Sequence, residues 1–130
     1  MKLNLVFTAA AILLVLMGLA LLLVPGAMIA ATYSGASPST GFLMNSRFAG
    51  VEMLGLGLIA WFVRNTEASK ARDGVTLGFT IYFALHALTS LYGQFTDTST
   101  SLHWLMATIQ ALFAVGFFMA GKASMSTSGS

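Results

Sequence analysis

Four long apolar runs, separated by short polar stretches, dominate the pattern of the chain. The first, Leu5 to Val24, carries no charge and meets Pro25-Gly26, a stop signal for a helix. The second lies between Arg47 and Arg64, is extended forward by Phe42, Leu43 and Met44, and holds one charge, Glu52. The third, Val75 to Gly93, and the fourth, Leu102 to Gly121, are uncharged. Each approaches the roughly 20 residues that a membrane-crossing helix requires. The pattern predicts an all-α integral membrane four-helix bundle, up-down-up-down, in one domain over 1–122. Its spans fall at about 4–24, 43–64, 75–93 and 102–121, and 123–130 reads as a mobile Ser-rich tail. Lys2 gives the first run a positive start, as in a secretory signal. The run is too long for a signal core, and Ile29-Ala30-Ala31 makes a poor cleavage site, so a signal-anchor is expected.

The connections add orientation. Residues 25–41 are rich in Gly, Ser, Thr and Pro and read as a loop, with Met28, Ile29 and Tyr33 apolar enough to rest on the membrane surface. Asn65 to Gly74 is short and charged, and Gln94 to Ser101 is polar with only Asp97. With four crossings, Lys2, Arg64, Lys70, Arg72 and Lys122 share one side, and only Arg47 falls on the other. The positive-inside rule then places both termini in the cytoplasm, with the 25–41 and Asp97 loops facing outward.

Composition agrees with the span pattern. Charged residues are 8% and the hydrophobic class 57% of 130 residues, which excludes a soluble domain or a disordered chain. Six basic against four acidic residues is too small an excess for a phosphate-binding surface of the kind nucleic acid needs, so no nucleic-acid partner is expected. The chain has no cysteine, which removes disulfides and thiol chemistry.

Polar residues inside the apolar runs are the places where chemistry can reside. Glu52 stands about eight residues from the outer end of its span, or roughly 10–12 Å deep. An ionised acid there costs about 2.5–3.5 kcal/mol on insertion scales and needs a partner, a wet pocket or a proton. By the same count His86 lies roughly 10 Å and Gln110 roughly 12 Å deep. Tyr82, His86 and Ser90 recur every four residues on one helix face, bordered by Thr89, and His103 and Gln110 share a face seven residues apart. These stripes are expected to meet Glu52 in the bundle interior. Arg47 is five residues from Glu52, about 140° around the helix, and is a poor partner within that helix. The candidate ligand-binding residues are therefore Glu52, His86, Gln110, Tyr82, Arg47 and His103.

No metal or cofactor is expected. His86 and His103 differ in depth by about 7 Å, which defeats a haem between them. No HExxH-type zinc motif occurs, and there is no intramembrane Lys for a retinal Schiff base. Small residues recur in the second span (Ser46, Ala49, Gly50, Gly55, Gly57) and the fourth (Ala107, Ala111, Gly116, Ala120). They point to close packing within the chain, with a dimer face on either span as the alternative. Trp61, Trp104 and Tyr92 lie near span ends, as an interfacial belt requires.

With Pro25 closing the first span, Arg47, Gly50, Gly55 and Gly57 in the second, Ala71-Arg72 in the basic loop and Trp104 opening the fourth, the chain resembles small four-span bacterial membrane proteins of unknown function near the DoxX-like group. That resemblance covers nearly the whole chain. It implies a four-helix bundle in a bacterial inner membrane, with no established activity and no catalytic residues to carry over. A second resemblance, to sterol-isomerase-like proteins of the emopamil-binding type, implies more than one carboxylate plus a His. This chain offers only Glu52 and His86.

The expected function is a non-enzymatic bundle binding a small lipophilic ligand or a partner membrane protein, itself included as a homo-oligomer. Two alternatives stand beside it. One is a membrane enzyme or isomerase using Glu52 and His86. The other is an accessory subunit whose polar network only packs.

Overall fold

The computed structural model describes residues 2–33, 35–96 and 102–128. Five helices follow in order: α1 (Leu3–Leu23), α2 (Pro25–Thr32), α3 (Thr40–Val63), α4 (Lys70–Thr96) and α5 (Leu102–Ser128). All but α2 are long and apolar enough to cross a membrane, so the all-α multi-pass bundle read from the sequence is what the chain forms.

Three boundaries differ from the sequence reading. Residues 25–32 form a helix, where a loop over 25–41 was expected. Proline drives its predecessor out of helical geometry, and Val24 accordingly sits at φ −130°, ψ 50°. The same proline suits the first position of a new helix, and Ala27, Ala30 and Ala31 continue it. Little hydrogen bonding is lost at the corner. The Val24 N–H donates to the Ala20 carbonyl (2.9 Å), and the Val24 carbonyl accepts from Ala27 and Met28 (3.1 and 3.2 Å).

The other two differences are extensions. The third span begins at Lys70 because Ser69 caps it, its hydroxyl accepting from the Arg72 N–H at 3.2 Å, with Asp73 in the favourable first turn. The last helix continues through Ser128, into the stretch read as a tail. Asp97 and the rest of its connection to Ser101 lie outside the described residues.

Packing follows the small residues. Helices α1 and α3 form one antiparallel pair and α4 and α5 another, and the pairs join along α1 and α5. In the first pair the backbones nearly touch. A β-carbon built on Gly18 would stand 2.7 Å from the Gly50 carbonyl oxygen, and one built on Gly50 would stand 2.7 Å from that of Gly18. No side chain larger than hydrogen fits there without separating the helices. Gly57 packs similarly against Val15, whereas Gly55 faces open space, so most of the small-residue stripe serves packing within the chain.

The core lies toward the end that holds the N-terminus of α1, the C-terminus of α3, the start of α4 and the C-terminus of α5. Phe7, Phe79, Phe83 and Phe117 interlock there, with Phe117 stacked 5.3 Å from Phe79 and Phe7 edge-on to Phe117 at 5.0 Å. Aromatic pairs of this kind add about 0.5–1.5 kcal/mol each beyond area burial. Large apolar side chains such as Phe48, Phe62, Leu88 and Leu112 point outward, as expected of a surface solvated by lipid.

One side of the ring stays open. Helices α3 and α4 make almost no direct contact, and α2 covers the bundle at the end opposite the aromatic core by touching α1, α3 and α5.

Candidate functional site

Most hydroxyls in the spans are satisfied within their own helix. Thr8, Ser46, Thr76, Thr80, Thr89 and Thr108 each donate to the carbonyl four residues earlier, at 2.7–2.9 Å. Ser90 departs from that habit. Its hydroxyl donates across the bundle to Gln110 Oε1 at 2.9 Å, tying α4 to α5. An interhelical bond of this kind averages only about 0.6 kcal/mol in a membrane.

Ser90 and Gln110 border a cavity of about 350 Å3 under α2. Met17 and Leu21 of α1, Met28 and Ile29 of α2, and Met106 of α5 supply apolar wall. Asn45 and Ser46 of α3, together with Tyr33 and His103, bring further polar groups to it. His103 is 9% exposed, and its ring stands edge-on to Tyr33 at 5.5 Å. Its Nδ1 is buried with no hydrogen-bond partner among the described residues. A buried nitrogen left in this way costs about 1–3 kcal/mol until something pairs with it.

The six sequence candidates therefore divide. Gln110 and His103 reach the cavity. Tyr82 and His86 pack on each other one to two turns farther along α4, ring centroids 4.4 Å apart, and do not line it. Arg47 turns to its own helix, with Nη1 3.7 Å from Met44 Sδ.

Glu52 requires a correction. It was expected in the bundle interior, but it is exposed. The reason is azimuth. Helix α3 buries Gly50, Gly57 and Ala60, and Glu52 is two residues from Gly50, about 200° around the helix. The carboxylate stays within electrostatic range of the Tyr82 phenol, which puts it on the open α3/α4 side.

Three lining residues escaped sequence reading. Tyr33 was assigned to the membrane surface, and Asn45 and Ser46 precede the depth at which polar residues were sought. The signal that could have found them is Pro25 read as a helix start, because α2 then folds back over the bundle and carries Tyr33 inward.

Among the described residues no group of three or more His, Asp or Glu is placed to hold a metal ion. Compared with protein-family models, curated proteins and solved structures, the chain finds no match.

Proposed function

We propose that this protein is a non-enzymatic multi-pass bundle that holds a small amphiphilic ligand under α2. Its charge pattern supports cytoplasmic termini, and the resemblance to four-span proteins of the DoxX-like neighbourhood supports a bacterial inner membrane. The apolar body of the ligand lies against Met17, Leu21 and Met106, and its hydrogen-bonding head meets His103, Gln110 and Asn45. The observation that carries this reading is a mostly apolar cavity of about 350 Å3 into whose wall come Gln110, Asn45 and His103, a residue whose Nδ1 is buried and unpaired among the described residues. An apolar wall with a few convergent polar groups is the usual composition of a ligand site.

Native mass spectrometry of the gently extracted protein tests it, wild type beside His103→Phe and Gln110→Leu. A small molecule retained by the wild type and lost from both variants is the expected result. A wild type that is empty, with no adduct to lose, would sink the reading and leave Ser90–Gln110 as a packing bond.

Glu52 favours a second reading, in which a partner membrane protein covers the open α3/α4 side. An exposed carboxylate at this depth is costly, and Arg47 does not reach it. Here Glu52→Gln shifts the extracted protein from complex to single chain while the cavity ligand stays bound. Unchanged assembly removes this second reading without touching the first.

A further inference from the structure

The end of the bundle opposite α2 carries a cleft of about 490 Å3 among the N-terminus of α1, the C-terminus of α3, the first turn of α4 and α5. Lys2, Arg64 and Arg72 line it together with the neutral donors Asn4, Asn65 and Thr66, and none of its lining residues is acidic. Half of the six basic residues of the chain thus gather at one opening. The small net charge conceals this clustering.

Topology signalling needs only basic residues in a solvated loop. This cleft has more than that. Arg72 Nε is buried without a hydrogen-bond partner among the described residues. Arg64 is held in place, its guanidinium 3.4 Å over the Trp61 ring and donating to the Trp61 carbonyl. A fixed guanidinium fork with free donors matches phosphate oxygens.

The surroundings indicate where such an anion comes from. Trp61 is 42% exposed at the end of its span, where aromatic side chains meet the headgroup layer. It also borders an apolar groove of about 360 Å3 between α1 and α3, walled by Ile12, Val15, Leu16 and Leu58. Cleft and groove meet at the Trp61–Arg64 turn, with charge above and hydrocarbon below.

We propose that the cleft binds a phosphate-bearing anion, namely the headgroup of an anionic phospholipid whose acyl chain lies in the α1/α3 groove. Basic pockets between spanning helices on the cytoplasmic side are suited to such headgroups. The site is separate from the cavity under α2 and does not depend on it.

Trp61 is a built-in reporter once Trp104→Phe removes the other tryptophan. The protein is reconstituted in phosphatidylcholine vesicles with a minor share of brominated phosphatidylglycerol, and in a matched series with brominated phosphatidylcholine. Preferential quenching of Trp61 by the anionic lipid is expected. Arg64→Gln/Arg72→Gln should cut that preference by about tenfold. Lys70→Gln/Lys122→Gln, which removes the same charge outside the cleft, should leave it. Arg64→Lys/Arg72→Lys, which keeps the charge but not the guanidinium fork, should restore part of it, separating lost charge from lost fold. Equal loss in both glutamine pairs means diffuse surface attraction and overturns the site. So does the absence of any preference, unless inorganic phosphate added to phosphatidylcholine vesicles raises the melting temperature of the wild type and not of the arginine pair. That result keeps the anion site and assigns it to free phosphate instead of lipid.

Discussion

The two halves of the bundle are built by different rules. Toward the chain termini, four phenylalanines at 0–4% exposure interlock with Ala10, Ala11 and Leu14, and the buried Thr76 hydroxyl bonds its own helix. Toward α2, α1 and α3 stay in backbone contact at Gly18 and Gly50, but the two helix pairs part around a cavity, one hydrogen bond ties α4 to α5 beside it, and a histidine nitrogen is left unpaired among the described residues. The spanning faces of both halves meet lipid and not water, so apolar transfer is not the main force that holds the first together. Dispersion and shape must do so, which explains the dense aromatic stacking there. Between the helix pairs the second half gives up that density, and the resulting cavity with polar groups in its wall suits the ligand proposed above.

Substitutions can break this contrast. The largest effect is expected for Phe117→Ala. It empties the centre of the aromatic cluster and should cost about 2–4 kcal/mol, because the cavity penalty persists where water transfer does not apply. Reversible unfolding in mixed micelles reads it directly, and a loss comparable to that of an outward residue such as Phe118→Ala would contradict a dense half. Next comes Gly50→Leu, which forces α1 and α3 apart and should cost about 1–3 kcal/mol in the same assay. Because Gly18 is the opposing surface, Gly18→Leu should add little to a protein already carrying Gly50→Leu. Full additivity would mean the two glycines do not share one contact. Smallest is Ser90→Ala, expected near 0.6 kcal/mol. A double-mutant cycle with Gln110→Leu isolates it. A coupling of several kcal/mol would make the cavity half a structural keystone and erase the distinction.

The spans were more legible than their packing. Four apolar runs led directly to the spans, because a helix in lipid satisfies its own backbone and its limits follow from composition. The small residues of α3 pointed to close packing, but neither Gly18 as the opposing surface nor the phenylalanine cluster leaves a local pattern. Pro25 misled, since the residue that ends α1 also begins α2. Ser69 was overlooked because Lys70, Arg72 and Asp73 read as loop charges, whereas a capped first turn accommodates them. At the site, the seven-residue spacing of His103 and Gln110 identified one face of α5, and both residues reach the cavity. Glu52 was judged by depth alone. Depth says how far a residue lies from the surface, whereas the buried face of α3 was already marked by Gly50, Gly57 and Ala60. Tyr33 and Asn45 come to the cavity through the fold-back of α2, a tertiary event with little trace in local pattern.

The unpacked seam between α3 and α4 has a kinetic and thermodynamic consequence. Ala49 borders the cavity from α3 and Ser90 from α4, the two helices with almost no direct contact, so the ligand proposed above would enter from the bilayer between them. A ligand entering there diffuses in two dimensions and never crosses bulk water. Its occupancy is then governed by mole fraction in the surrounding lipid. Diluting the protein in buffer leaves it bound, whereas fusing the membrane with empty vesicles strips it. Sparingly soluble molecules, nearly absent from the aqueous phase, would then be drawn from the leaflet in which they concentrate.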